Sequence, residues 1–106
     1  MNDTLQKRIV DYIVHLLEPT EIILFGSYAS GMQRNNSDVD LLIVTEQIQN
    51  RQHLKNDITN FILQFGYSSD IILMTKNELQ LELSVEKKFL FNAIKISKKI
   101  YKKDPD

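Results

Sequence analysis

"ILFGSYASGMQRNNSDVDLLIV", residues 23–44, decides how the rest of the chain is read. An apolar run stops at Gly26-Ser27, a polar loop follows, and a second apolar run opens on Asp38 and Asp40. Glu21 to Phe25 predicts a short buried strand that Gly26 breaks. Val39 to Val44 has no polar alternation, which predicts a strand covered on both faces. The polar loop, residues 27–37, has room for one helical turn.

Outward from this stretch, Leu5, Ile9, Tyr12, Ile13, Leu16 and Leu17 recur at helical spacing, with Asp3 or Thr4 as N-cap and Pro19 as the stop. Leu54, Ile58, Phe61, Ile62 and Phe65 mark a second helix, with Gly66 placed as its C-terminal cap. "DIILM", Asp70 to Met74, reads as a third strand. Thr75 and Glu78 have the spacing of a capping box and open a third helix. Val85, Phe89, Leu90, Ala93, Ile94 and Ile100 outline a last helix before a charged tail. Phe89 and Phe91 cannot share one side of that helix, so one of them points to an interface. The order α-β-β-α-β-α-α gives an α/β fold, a small mixed sheet of three to four strands covered by helices.

Composition narrows the function classes. A chain of 106 residues suits one domain spanning residues 1–106, with a real but modest core. It has no cysteine, which excludes a disulfide framework and a thiolate metal site and suits a reducing cytoplasm. Its apolar runs are too short to span a bilayer, and its first residues are too polar for a signal peptide. The net charge of −1 gives no global field for nucleic acid. The tail does carry Lys95, Lys98, Lys99, Lys102 and Lys103, either a solvated helix face or a contact surface for RNA or an acidic partner.

Residues i and i+2 of a strand share a face, so Asp38 and Asp40 are expected side by side at the start of the second strand. Adjacent carboxylates repel, and burial makes the repulsion worse unless a positive charge lies between them. Asp70 opens the third strand in the same way and joins the pair if the two strands are neighbours. Three such carboxylates make a site for a hard cation, Mg²⁺ first, which completes its shell with water and substrate phosphates. Gly26 permits a sharp turn and close approach of a ligand, while Ser27 offers a hydroxyl and an N–H to a phosphate. Each feature alone is ordinary turn chemistry. Together they point to phosphoryl or nucleotidyl transfer, which needs positioning and charge neutralisation more than a covalent nucleophile. His15 and His53, on predicted helices far from the carboxylates, read as surface or interface residues. Tyr28 either flanks the ligand or packs.

A Gly-Ser, ten residues, then D-x-D at a strand start resembles the signature of the DNA polymerase beta-like nucleotidyltransferases. The short length resembles their minimal members, the MNT proteins. Gly26, Ser27, Gly31, Ser37, Asp38, Asp40 and Leu41 fit the pattern, and Asp70 fits the third carboxylate. "FLFNAIKISKKIYKKD" resembles the family's last helix. The resemblance implies that Asp38 and Asp40 hold Mg²⁺ on ATP, that Asp70 helps bind a second metal and activates an acceptor hydroxyl, and that Gly26 and Ser27 contact the phosphates. It implies an antitoxin that transfers AMP to a tyrosine of a HEPN-domain ribonuclease toxin. One departure is Ser30, where the family commonly has Arg; Arg34 lies close enough in sequence to compensate, and with Ser37 completes the expected nucleotide-binding set. Two other functions stay open: a module of the same fold that neutralises its partner by contact alone, and a transferase acting on a small molecule, for which little chain remains.

Overall fold

The structure is a computed structural model that describes residues 1–31, 38–84 and 96–104; of Ser27 and Ser30 it describes the backbone only. In chain order the described elements are α1 (Asp3–Leu17), β1 (Glu21–Phe25), α2 (Ser27–Ser30), β2 (Val39–Thr45), α3 (Arg51–Leu63), β3 (Ser69–Thr75), α4 (Lys76–Leu83) and β4 (Lys98–Lys102). The strands form one sheet in the order β3-β2-β1-β4. β1 is antiparallel to β2 and to β4, whereas β2 and β3 run parallel. The sheet is therefore mixed and four-stranded.

β2 lies inside the sheet and is as thoroughly covered as its sequence predicts, with every residue buried except half-buried Asp40. Alternation splits the apolar residues into two layers. Ile22, Leu24, Val39, Leu41, Ile43, Ile71 and Leu73 face Ile9 and Ile13 of α1 and Ile58 and Ile62 of α3. Tyr12 stacks on Phe61 at a ring separation of 4.0 Å and joins the two helices. Ile23, Phe25, Leu42 and Val44 form the other layer, against which Ile72, Met74 and Leu79 of α4 pack.

The ends of the elements follow local chemistry. The α1 cap is Asn2, one or two residues before the expected Asp3 or Thr4; its side chain accepts the Leu5 N–H at 2.8 Å. Glu18 takes a left-handed conformation after α1, and Pro19 is buried behind it. Beyond α3, Gly66 adopts φ +87° and donates its N–H to the Leu63 carbonyl at 2.9 Å, turning the chain towards β3. The Thr75–Glu78 capping box is present with both bonds. Glu78 also reaches Arg51 at 2.6 Å and so ties α4 to the start of α3.

The tail departs from expectation. Residues 98–102 are not the end of a helix but an edge strand, because Ile100 and Tyr101 pack on the sheet layer facing α1 and α3. Lys99 crosses to Glu21 at 3.2 Å. The remainder of the predicted last helix, with Phe89, Phe91 and Lys95, lies outside the described residues, as do Arg34 and Ser37.

Candidate functional site

Strand directions bring one end of three strands together. β1 ends where β2 and β3 begin, because it is antiparallel to β2 while β2 and β3 are parallel. Phe25 pairs with Asp40 across the first ladder, and Asp40 pairs with Asp70 across the second. The adjacency of Asp40 and Asp70, conditional in the sequence, is thus fixed by backbone register. Asp38 precedes β2 and is exposed; Asp70 is exposed on β3; Asp40 is half-buried between them.

Gly26 faces Asp40. Its φ is +73°, a region that costs other residues energy. A Cβ built on Gly26 falls far inside contact distance of Asp40 Oδ2 and 3.2 Å from Cγ. The Asp40 carboxylate therefore occupies the space that a side chain at position 26 would take. Glycine is required here both for the turn into α2 and for the seat of the carboxylate.

The charge arrangement is unfavourable by itself. Burial raises the Asp40 carboxyl above its ordinary pKa, and the negative charges of Asp70 and then Asp38 raise it further. These hard anionic oxygens fit a divalent cation bound to phosphate oxygens, as Mg²⁺ would be. Among the described residues, however, no three His, Asp or Glu side chains stand close enough to hold a metal ion. The expected convergence of Asp38, Asp40 and Asp70 is one of strand ends and electric field, not of three carboxylates closed around one point. Like charges repel, and Asp38 Oδ1 is engaged by the Ser68 hydroxyl, which donates a hydrogen bond to it.

Tyr28 sits on α2 and makes an edge contact with Tyr67, with ring centroids 6.3 Å apart. It packs, and burial followed by Tyr67 raises its hydroxyl above the ordinary value. His15 and His53 are exposed on helices away from the carboxylates. Ser68 was not singled out in the sequence. The signal was there, since it precedes Asp70 by two residues and so shares its face, but a serine before a strand also reads as turn chemistry.

A surface hollow of about 440 Å³ lies at the opposite end of the sheet, lined by Glu18, Glu21, Glu46, Lys76 and Lys102 among others. Its charges are mixed and partly paired, Lys76 with Glu46 at 3.2 Å. It shares no residue with the carboxylate cluster.

Known proteins give the arrangement a context. A protein of Methanocaldococcus jannaschii, provisionally named a protein adenylyltransferase, is 38% identical over an alignment of 66 residues that covers 58% of this chain and 45% of that protein. The chain thus spans less than half the length of that relative. Among solved structures, a toxin-antitoxin with AMP-PNP is similar at a TM-score of 0.64 and 17% identity, over 92% of this chain and 73% of that one. A nucleotidyltransferase, provisionally so named, from Sulfolobus solfataricus is similar at 0.54 and 22%, over 93% and 78%. At these identities the two structures speak for the fold. The sequence model of the nucleotidyltransferase domain matches residues 6–100, and the chain belongs to that family.

Proposed function

We propose that this chain is a Mg²⁺-dependent nucleotidyltransferase that passes AMP from ATP to a tyrosine hydroxyl of a HEPN-domain toxin, acting as that toxin's antitoxin in the cytoplasm. The observation that carries the reading is the register pairing of Asp40 with Asp70 beside the Gly26 turn. The family match, the name of the archaeal relative and the toxin-antitoxin neighbour support it.

In this reading residues 1–106 act as one domain. Asp38, Asp40 and Asp70 would offer anionic ligands to a metal that completes its shell with phosphate oxygens rather than with all three carboxylates at once, and the metal would neutralise triphosphate charge. The turn at Gly26 and Ser27 lets the phosphates approach the backbone, and Arg34 and Ser37 complete their binding. Asp70, exposed at the mouth of β3, accepts the proton of the incoming hydroxyl. The hydroxyl oxygen bonds to the α-phosphorus as the bond to the β-phosphate oxygen breaks, and pyrophosphate leaves. The acceptor comes from a partner that brings its own docking surface.

A second reading is favoured by one specific residue. Ser30 stands where the family commonly has Arg, and serine cannot supply a forked cationic donor to a phosphate. A module that neutralises the toxin by contact alone would tolerate that change. Transfer to a small molecule is the third reading. Intact-mass spectrometry of the toxin encoded beside this chain, after incubation with ATP and Mg²⁺, separates them. An added AMP that disappears in Asp38→Asn/Asp40→Asn supports transfer. An unmodified but silenced toxin refutes it and favours contact.

A further inference from the structure

We infer that Ser68 is a positioning residue for Asp38, holding one carboxylate oxygen so that the other is presented as a metal ligand. The inference rests on the metal-dependent reading above.

The three carboxylates are not held alike. Asp40 lies within β2, bonded on one side to β1 and on the other to β3, and its side chain is seated against Gly26. Asp70 lies within β3. Asp38 lies outside β2 and is exposed. An exposed carboxylate just outside a strand samples several rotamers, and a ligand that must be ordered binds metal less tightly.

The residue just before β3 supplies what β2 does not. The Val39 N–H donates to the Ser68 carbonyl at 2.9 Å, so the backbones on either side are already tied. The Ser68 hydroxyl then donates to Asp38 Oδ1, closing a small ring of backbone and side-chain bonds across the mouths of the two strands. Alternation decides which serine does this. Ser68 shares the face of Asp70, whereas Ser69, paired with Val39, turns the other way, and its Oγ is buried with no hydrogen-bond partner among the described residues. Among the described residues, nothing bonds Oδ2 of Asp38. Outer hydrogen bonds of this kind orient ligating carboxylates, and losing them typically weakens metal binding about 10- to 100-fold.

The probe is Mn²⁺ alone, titrated into the full chain and read by the loss of the free-ion electron paramagnetic resonance signal. Ser68→Ala should weaken Mn²⁺ binding about tenfold, the low end of that range, because the pair is exposed. Ser68→Thr, which keeps the hydroxyl, should restore it. Without metal, the melting temperatures of all three proteins should agree, since a structural loss would show there. In an Asp38→Asn background Ser68→Ala should change nothing further. Equal binding by wild type and Ser68→Ala overturns the inference and leaves the metal reading standing. Tighter binding by Ser68→Ala also overturns it, showing that the hydroxyl competes with the ion. A wild-type chain that binds no Mn²⁺ overturns both.

Discussion

Replacing Gly26 with alanine tests the link between backbone and site. Two costs are expected. The first is conformational: at φ +73° a non-glycine residue loses about 1–2 kcal/mol. The second is steric: the new Cβ enters the space of Asp40 Oδ2 and Cγ, a crowding of the kind that costs about 1–3 kcal/mol. Together they predict a loss of about 2–5 kcal/mol. Gly66 isolates the first cost, since its φ is +87° and a Cβ there meets nothing within 4 Å. Gly66→Ala should therefore lose only about 1–2 kcal/mol. Asp40→Ala isolates the second, because it removes Oδ2 and Cγ and leaves Cβ at an ordinary 3.5 Å from the added methyl. In urea unfolding, Gly26→Ala/Asp40→Ala should be more stable than the sum of the single changes by about 1–3 kcal/mol, the steric part alone. Additive losses, or equal losses for Gly26→Ala and Gly66→Ala, would refute the claim that position 26 is reserved for the carboxylate.

Two other outcomes are expected. Asp40 binds its proton more tightly in the folded chain than in the unfolded one, so folding is favoured at low pH and loses that contribution as pH rises from the ordinary carboxylate range through the raised folded value. Asp40→Asn should therefore gain stability over wild type across that window and keep a constant advantage at neutral pH; chemical denaturation as a function of pH reads this, and no advantage at pH 7 counts against it. Thr75→Ala should cost about 1 kcal/mol by removing one bond of the α4 capping box, shifting the thermal midpoint down by about 4–8 °C. Glu78, held below its ordinary pKa first by the Thr75 N–H and then by Arg51, should give Glu78→Gln a deficit at neutral pH that fades as pH falls through the folded value.

The parts legible in the sequence are those fixed by local pattern. β1 was readable because Glu21–Phe25 is bounded by Pro19 and Gly26, and the capping box because Thr75 and Glu78 satisfy each other within one turn. The D-x-D pair was readable because period two is intrinsic to a strand. Strand order was not. That Asp40 lies opposite Asp70 depends on β3 pairing with β2 rather than with β1, which non-local packing decides. β4 was misread because "KISKKIYKK" has charges that suit a helix face as well as an edge strand. Lysine on an edge discourages further pairing, and the ladder to β1 with the packing of half-buried Ile100 and Tyr101 against the sheet distinguishes the two. The Ser68–Asp38 bond was not legible because it joins side chains thirty residues apart across a strand pair.

The same charges that make the site costly should make it responsive. Asp40 follows the face of Leu42 and Val44, so its carboxylate borders an apolar layer that favours the neutral form. Asp70 and Asp38 add repulsion from two sides. A divalent cation bound here would oppose the repulsion with attraction to each carboxylate, and it would favour the folded chain, because the unfolded chain does not hold Asp40 opposite Asp70. Linkage then sets the scale: about 0.4 kcal/mol of stabilisation when free Mn²⁺ equals its dissociation constant, and about 2.7 kcal/mol at a hundredfold excess. The thermal midpoint should therefore climb with Mn²⁺ and keep climbing with its logarithm. In Asp40→Asn the starting midpoint should be higher and the climb shallower, because the repulsion to be relieved and a ligand charge are removed together. Differential scanning calorimetry at fixed ionic strength, with Ca²⁺ and Na⁺ as controls for general screening, separates the two effects. An equal climb in wild type and Asp40→Asn would mean that Mn²⁺ acts elsewhere on the surface, and the strand-end carboxylates would lose their claim to the ion.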